Sequence, residues 1–308
     1  MKQEIINNII ETVHQTIGDG EFTLHEPHFI GNEKKYLNEC IDTNFVSSVG
    51  NFVNLFEKKL SEYLNVKHVI LTNSGTSALH SALVVAGIKE NDEVLLPSLT
   101  FVATANAVLY CNAIPHFVDS ETLSLGVDTD LLEHYFKLET TFQNNILINK
   151  KSGNHIKAIL PVHTFGHACK IDEILEIAKK YNLIVIEDAA EAIGSTYKNK
   201  SLGTFGDLGT LSFNGNKTIT TGAGGAILTN NSIYAEELKH ITTTAKVRHQ
   251  WKFLHDKLGY NFRMPNVCAA LGLAQLENID KLVSNKRILH QRYRENFINN
   301  KYAEIFCE

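Results

Sequence analysis

Short apolar runs alternate with stretches of helical length through the middle of the chain. The runs are His68–Thr72, Glu93–Pro97, Ala113–Val118, Ile156–Val162, Leu183–Glu187 and Gly209–Phe213. Strands without polar alternation are buried on both faces, and their alternation with helices is typical of a largely parallel sheet that helices cover on both sides. The sequence therefore predicts an α/β chain built as an α/β/α sandwich with a mostly parallel central sheet.

Helices are predicted before, between and after these strands. Apolar residues recur with helical spacing in 2–17, 33–42, 53–64, 171–181, 266–282 and 286–297, and shorter helices are predicted at 78–85 and 100–110. The stretch from 139 to 155 is rich in polar residues and is interpreted as an excursion before the next strand. Because the strand pattern stops after residue 245, helices are expected to dominate the rest of the chain.

Composition excludes several classes of protein. The chain has 308 residues, of which 44% are hydrophobic, enough for one large domain and a smaller one. A net charge of −5 with only 20% charged residues offers no basic surface to nucleic acid. The five scattered cysteines lack CxxC spacing, which favours free thiols in a reducing cytoplasm over disulfides or a metal site. Neither a membrane span nor a signal peptide is expected, so a cytoplasmic location is predicted.

Residues with reactive or ligand-binding side chains follow the ends of the predicted strands. Thr76, Phe101, His163, Asp188 and Ser212 all lie on such loops. In sheets of this kind, ligands bind at the carboxyl ends of the strands. We therefore expect these residues to converge on one site.

The stretch from Ser212 to Gly225 adds an amine to that set. It holds Lys217 among four glycines, which let the backbone approach a bulky ligand. A lysine on a short turn suits an imine with a carbonyl cofactor. Taken alone, however, a lysine in a glycine-rich loop is more commonly a solvated surface residue. The choice between a surface lysine and a reactive one therefore depends on the other motifs of the chain.

Each of the other motifs has two interpretations when it is considered alone. The run Gly75-Thr76-Ser77 opens a helix, where amides and hydroxyls either bind a phosphate or simply cap the helix. Asp188 ends an apolar strand and could bind a metal, a ribose or a protonated pyridine nitrogen. Phe101 could belong to the core or stack on a flat ligand. His163 and His167 are four residues apart, but without an HExxH motif a zinc pair is not expected.

One cofactor, pyridoxal 5'-phosphate, accounts for these features together. It needs a phosphate cradle, an aromatic side chain against its ring, a carboxylate that keeps its pyridine nitrogen protonated, and a lysine that holds its aldehyde and moves the proton. The residues in those roles would be Thr76, Ser77 and Ser212 for the phosphate, Phe101 for the ring, Asp188 for the nitrogen and Lys217 for the aldehyde. No Walker A, dinucleotide-binding or nucleophile-elbow motif competes with this assignment.

Essentially the whole chain resembles the sugar aminotransferases of the DegT/DnrJ/EryC1/StrS family, which are fold type I pyridoxal-phosphate enzymes. The resemblance runs through Ser74–Leu79, Pro97–Thr104, Pro161–Gly166, Glu187–Ala192, Ser212–Lys217, Gly222–Gly225 and Leu258–Met264. It implies a homodimer with a shared active site, in which Asn261 reaches the phosphate bound by the neighbouring subunit. It also implies that Glu191 lies near the ring hydroxyl and that His163 and Arg263 face the substrate.

The opening segments 25–33 and 44–50 resemble those of aminotransferases of the legionaminic acid pathway. That resemblance implies amino transfer from glutamate to C4 of a nucleotide-linked 4-keto-6-deoxy N-acetyl hexosamine. Two departures stand out: Glu191 replaces the glutamine that is usual in the family, and family members continue into a fuller C-terminal small domain. We expect a helical segment at 1–24, a large cofactor-binding domain at 25–250, and the truncated beginning of a small domain at 251–308.

Other functions stay open from sequence. The main alternative is a truncated, inactive dimer that binds the cofactor or a sugar nucleotide as a regulator. The dehydratase variant of the family replaces the lysine with histidine, so Lys217 disfavours it. A nicotinamide oxidoreductase is disfavoured because no glycine fingerprint follows the first strand.

Overall fold

The computed structural model describes residues 1–247 and 249–306, so Cys307 lies outside the described residues. The helices are α1 (Lys2–Ile17), α2 (Glu33–Asp42), α3 (Asn51–Leu64), α4 (Gly75–Val85), α5 (Val102–Tyr110), α6 (Thr129–Glu139), α7 (Ile171–Tyr181), α8 (Ser232–Thr242), α9 (Asn266–Leu276) and α10 (Ile279–Phe297). The strands are β1 (His68–Thr72), β2 (Glu93–Pro97), β3 (Ile114–Val118), β4 (Thr140–Gln143), β5 (Ile146–Asn149), β6 (His155–Ile159), β7 (Ile184–Asp188), β8 (Thr196–Tyr197), β9 (Lys200–Ser201), β10 (Leu208–Ser212), β11 (Gly225–Thr229), β12 (Lys246–Val247) and β13 (Leu254–His255). No helix in the described ranges is long and apolar enough to cross a bilayer.

The main sheet of the described residues has nine strands, and its central path runs β1-β11-β10-β7-β6-β2-β3. The strands from β10 to β3 are parallel, whereas β11 lies antiparallel between β1 and β10. The predicted mostly parallel sheet is therefore confirmed, although β11 was not predicted as a strand. Its register places Gly225 opposite both Thr72 and Ser212, so the loop from β10 to β11 opens at the carboxyl end of β10.

Helices pack on both faces of the sheet, because alternate strand residues point to opposite faces. In β2, Val94 and Leu96 pack with α4, α5 and α8, whereas Leu95 packs with α6 and α7. Leu71 of β1 lies in a further cluster with α3 and α9. Each fully buried Leu or Ile stabilises the fold by roughly 1.5–3 kcal/mol. The predicted α/β/α sandwich is therefore observed.

The stretch from 139 to 155 forms a β-hairpin, so the prediction of a polar excursion was wrong. β4 pairs antiparallel with β5, and β5 continues onto the edge of β6. Asn144 and Asn145 occupy the turn with φ of 52° and 61°, as short hairpin turns require. Leu147 is buried together with the polar Thr140 and Asn149, whereas Phe142 and Ile146 are exposed.

The predicted helix 266–282 is wrong at its end, because α9 stops at Leu276 and α10 begins at Ile279. The break lies at Asn278, whose side-chain amide donates to the carbonyl of Ala274 at 3.1 Å and so competes with the helical bonds. α10 then runs to Phe297 and includes the predicted helix 286–297. α9 packs with α3 in the main core, and the division of the chain after residues 24 and 250 stays a prediction.

Candidate active site

A cavity of about 470 Å³ lies at the carboxyl ends of the parallel strands. Its lining includes most of the residues predicted from the sequence, namely Thr76, Phe101, His163, Asp188, Glu191, Ser212 and Lys217. The structure thus brings together side chains from five strand ends, those of β1, β2, β6, β7 and β10, and from the loop between β10 and β11. Their convergence is observed, while the chemical role of each stays a prediction.

Lys217 lies on an ordered turn. The Thr220 hydroxyl donates to the carbonyl of Phe213 at 3.1 Å and ties the turn to the end of β10. Gly222 has a φ of +78°, which glycine adopts without strain. The lysine side chain is only 16% exposed, and its Nζ lies 2.9 Å from Oε1 of Glu191. The interpretation of Lys217 as a solvated surface lysine is therefore wrong.

Asp188 forms the buried acidic end of the cavity and is 5% exposed. Its Oδ2 accepts from the Thr104 hydroxyl at 2.7 Å, and its Oδ1 accepts from the Ala190 amide at 3.1 Å. Burial raises the pKa of this carboxyl, against the two donors and the nearby Lys217 and His163. A carboxylate in such surroundings is stabilised by a cationic partner, which a protonated pyridine nitrogen would provide.

The N-terminus of α4 gives the cavity an anion-binding end. Ser74 caps the helix and exchanges hydrogen bonds with Ser77 in a capping box. The first-turn amides of Gly75 and Thr76 have no acceptor within the helix, so they suit a phosphate. A Cβ on Gly75 would lie 2.9 Å from that of Ser212, so glycine permits the close approach of β10 to the helix start.

Ser77 is placed differently from the prediction. It is 5% exposed and does not belong to the cavity lining. Its hydroxyl donates to Oδ1 of Asn73 at 2.7 Å and also bonds within the capping box. The cap therefore occupies the hydroxyl that was expected to bind phosphate, and Thr76 with Ser212 are the better-placed side chains.

Phe101 is an exposed aromatic residue on the cavity wall. It is the N-cap residue of α5 and is 74% exposed, so the alternative of a core phenylalanine is wrong. An apolar ring left open to a cavity suits stacking against a flat ligand. This placement supports the predicted contact with the cofactor ring.

His163 lines the cavity but is only 1% exposed, and its Nε2 lies 2.9 Å from Oε2 of Glu187. The Glu187 carboxylate also accepts from the amides of Gly203, Phe205 and Gly206. Complete burial opposes a charge on the ring, but Cys169 and the Glu187 carboxylate raise the pKa of His163 above its ordinary value. These contacts hold His163 in the wall, and its predicted contact with substrate stays a prediction.

Arg263 and Asn261 lie outside the cavity lining. Arg263 donates to Oε1 of Glu57 at 2.7 Å and to the carbonyl of Leu71 at 3.1 Å, because a β-bridge to Thr72 aligns this segment with β1. These contacts hold Arg263 against β1, and its predicted place on the substrate side stays a prediction. Asn261 is exposed, and its predicted contact with the phosphate of a neighbouring subunit stays a prediction.

Sequence reasoning missed two residues of the site. Thr104, which binds Asp188, lies one helical turn after Phe101 in a motif that was recognised without a role for this residue. Phe165 lines the cavity with φ 54° and ψ 19°, and its amide donates to Oε2 of Glu191 at 3.1 Å. No sequence pattern signals such left-handed backbone at a phenylalanine.

The site fits pyridoxal phosphate. The cavity has the size of a small-molecule site, and it combines an amine, a buried carboxylate and an exposed aromatic ring with the N-terminus of α4. The space beside Ser212 depends on the missing side chain of Gly75. Residues that could hold the cofactor are Thr76 and Ser212 at the phosphate, Phe101 at the ring, Asp188 at the nitrogen and Lys217 at the aldehyde.

Several known proteins are similar to this chain in sequence and in fold. The model of the DegT/DnrJ/EryC1/StrS aminotransferase family matches residues 28–306. The GDP-perosamine synthase of Escherichia coli O157:H7 is 44% identical over 287 residues, which are 92% of this chain and 73% of that protein. EpsN of Bacillus subtilis, whose name proposes a pyridoxal phosphate-dependent aminotransferase, is 39% identical over 274 residues, 88% of this chain and 67% of that protein.

Among solved structures, PseC of Helicobacter pylori superposes with a TM-score of 0.81 at 30% identity, covering 92% of this chain and 72% of that one. It is described as an aminotransferase involved in the biosynthesis of pseudoaminic acid. This agreement confirms the predicted fold type I, whereas none of the three proteins is named for legionaminic acid. The chain belongs to the DegT/DnrJ/EryC1/StrS aminotransferase family, and its cofactor is pyridoxal phosphate.

Proposed function

We propose that the protein transfers an amino group from glutamate to C4 of a nucleotide-linked 4-keto-6-deoxy hexose. The observation that carries this proposal is the single cavity shared by the Lys217 amine, the Asp188 carboxylate and the N-terminus of α4. The name of the 44% identical relative, a GDP-perosamine synthase, supports a nucleotide-sugar substrate. The product would serve bacterial surface-glycan or nonulosonic acid biosynthesis.

The residues of the cavity divide the work of amino transfer. Pyridoxal phosphate, when bound, supplies an electron sink and a carrier for the amino group. Thr76 and Ser212 with the α4 amides bind the phosphate, and Phe101 covers the ring. Asp188 stabilises a proton on the ring nitrogen. Lys217 holds the aldehyde at rest and, once its amine is free, acts as general base and acid for the proton shift.

Glu191 positions the amine of Lys217. Its Oε1 lies 2.9 Å from Nζ, and its Oε2 accepts from the amide of Phe165 at 3.1 Å. The Glu191 carboxylate therefore links the Lys217 amine to the turn at Phe165. A glutamine at this position would add no negative charge beside the amine. This contact supports a role for Glu191 while Lys217 is not bound to the cofactor, in addition to its predicted place near the ring hydroxyl.

The identity of the nucleotide carrier and of the sugar substituents is a more detailed part of the proposal. The E. coli relative is named for a GDP sugar, whereas the resemblance of segments 25–33 and 44–50 favours an N-acetylated hexosamine of the legionaminic acid type. We propose that the substrate is one of these two 4-keto-6-deoxy sugar nucleotides. Assays with the GDP-linked sugar and with the UDP-linked N-acetyl sugar, each with glutamate, decide between them.

A homodimer with shared active sites is part of the proposal. The exposed Asn261 lies outside the cavity of its own chain. Its backbone carbonyl accepts from the side-chain amide of Asn73 at 3.4 Å, so its backbone is held while its side chain is exposed. We also place the protein in the cytoplasm, because free thiols such as Cys111 and Cys268 persist in a reducing compartment.

The experiment that tests the function is turnover by Lys217→Ala, followed by mass spectrometry of the aminated sugar. We expect a loss of at least about 10³-fold, because within the described residues no second lysine lines the cavity to replace Lys217 as proton carrier. Lys180→Ala is the matched control, since this lysine pairs with Glu133 on the surface at 2.8 Å. A Lys217→Ala protein that aminates the sugar at the wild-type rate would sink the assignment.

A further inference from the structure

Two threonine hydroxyls at the start of α5 lie in line with Asp188. Thr100 donates to Oγ1 of Thr104 at 2.8 Å, and Thr104 donates to Oδ2 of Asp188 at 2.7 Å. An ionised carboxylate only accepts hydrogen bonds, so the Thr104 hydroxyl donates its one proton to Asp188. Its oxygen then accepts the hydrogen bond from the Thr100 hydroxyl. The two donors therefore form a chain that points at the carboxylate.

Burial makes this chain energetically important. Thr104 is 0% exposed and Asp188 is 5% exposed. Hydrogen bonds to a charged group are stronger than neutral ones, and a missing one is costly where water cannot replace it. Thr104 does not belong to the cavity lining, so it acts on a bound molecule only through Asp188.

The same helical turn also carries Phe101. The amide of Thr104 donates to the carbonyl of Phe101 at 3.1 Å, and the Phe101 ring lines the cavity. One turn of backbone thus connects the aromatic ring with the hydroxyl that orients Asp188. A displacement of this turn would move both groups together.

We propose that Thr104, supported by Thr100, is a positioning residue that keeps Asp188 ionised and sets its place relative to the Phe101 ring. The slot for the pyridine ring is then defined by a single turn of α5. This inference rests on the proposed function, in which Asp188 faces the ring nitrogen.

The charges around Asp188 agree with this role. Burial raises the pKa of Asp188, and the Thr104 hydroxyl heads the groups that lower it, ahead of the Ala190 amide, Lys217 and His163. Removing the hydroxyl leaves burial with less opposition, so the pKa of Asp188 rises further and ionising the carboxyl costs more. Raising the pH restores the ionised form.

The test is equilibrium binding of pyridoxal phosphate to the cofactor-free protein across a pH series. Thr104→Val removes the hydroxyl and keeps the shape, Thr104→Ser keeps the hydroxyl, and Asp188→Asn removes the charge. Thr140→Val is the matched control, because the buried Thr140 hydroxyl donates to the carbonyl of Phe136 away from the cavity. A 1-deaza analogue of the cofactor, which lacks the ring nitrogen, tests whether the effect acts through that atom.

We expect Thr104→Val to bind pyridoxal phosphate roughly 10- to 100-fold more weakly than wild type at neutral pH, as for a lost hydrogen bond to a charged group. The ratio should shrink as the pH rises and should vanish with the deaza analogue. Thr104→Ser and Thr140→Val should bind like wild type. Wild-type affinity in Thr104→Val overturns the inference, and so does a loss that is the same at every pH and with both ligands.

Asp188→Asn separates the two possible failures. If it weakens binding while Thr104→Val does not, the role of Thr104 is wrong and the proposed function stands. If Asp188→Asn binds as well as wild type, the assignment of Asp188 is wrong. Should Thr104→Val fail to fold by circular dichroism, Thr100→Val takes its place with an expected pH-dependent loss of about threefold, and no loss overturns the inference.

Discussion

Two buried carboxylates lie at opposite ends of the parallel strands. Glu93 begins β2 and is 2% exposed, whereas Asp188 ends β7 and is 5% exposed. Glu93 accepts from the Asn149 side chain at 2.9 Å, from the ring of His116 at 2.7 Å and from the Ser152 hydroxyl. Asp188 accepts from one hydroxyl and one amide within the described residues.

The difference in hydrogen-bond donors shifts the pKa values of the two carboxyl groups in opposite directions. Burial opposes the charge on Glu93, but Ser152, Asn149 and His116 outweigh it and lower the pKa of Glu93. At Asp188 burial prevails and raises the pKa. The first carboxylate is saturated by its own chain and holds the β4–β5 hairpin to the sheet. The second is left short of donors, which suits a group that must meet a cationic ligand.

The largest expected effect is on catalysis at Asp188. Asp188→Asn removes the negative charge that stabilises the protonated ring nitrogen, and we expect turnover to fall by at least about 10³-fold, roughly 4 kcal/mol in the barrier. The measurement is initial rate at saturating keto sugar and glutamate. A fall of less than tenfold would show that Asp188 resembles Glu93 and is structural.

The matched change at the other end should affect stability. Glu93→Gln places an amide against the donors of Asn149 and His116, and we expect the free energy of unfolding to drop by about 2 kcal/mol. Urea unfolding of the cofactor-free protein measures it. Turnover per folded molecule should equal that of wild type, and a loss comparable to Asp188→Asn would contradict the division of roles.

The pH dependence of stability should have opposite signs at the two sites. Stability from Glu93 is present above the ordinary Glu pKa and is lost as the pH falls through its lowered pKa. Asp188 contributes stability only at low pH, and this is lost as the pH rises through its raised pKa.

Cofactor-free Asp188→Asn should therefore be more stable than wild type at pH 7, by on the order of 1 kcal/mol, and should approach it in acid. Glu93→Gln should be less stable at pH 7 and should also approach wild type in acid. Urea unfolding at several pH values checks both. If both substitutions changed the free energy of unfolding in the same direction at pH 7, the proposed difference between Glu93 and Asp188 would be wrong.

The smallest expected effect concerns the exposed ring beside Asp188. Phe101→Leu keeps an apolar side chain but loses the flat face, and we expect pyridoxal phosphate to bind about threefold more weakly, ~0.6 kcal/mol. Phe117→Leu is the control, because Phe117 on β3 is also exposed, at 53%, and lies outside the cavity lining. Fluorescence titration of the cofactor-free proteins compares them, and equal affinities would remove Phe101 from the site.

The sheet could be predicted because its strands are apolar on both faces. The site could be predicted because Thr76 follows such a strand and Asp188 and Ser212 each end one. β11 and the 140–149 hairpin were missed, since a strand that begins at Gly225 or carries polar residues on its exposed face has a weak local signal. The cap made by Ser77 was one of two interpretations open from sequence, because its partner Ser74 is local. The ion pair of Arg263 could not be predicted, because Glu57 lies far away in the sequence.

The order of apolar runs along the chain determined the fold class, because hydrophobic burial acts residue by residue along each element. The motifs pointed to the family, and the catalytic role of Lys217 stays a prediction. The difference between Glu93 and Asp188 was decided only by the tertiary structure. Each is an acid at one terminus of an apolar strand, Glu93 at the start of β2 and Asp188 at the end of β7. The pKa of each depends on hydrogen-bond donors from distant segments, and folding places more of them beside Glu93 than beside Asp188.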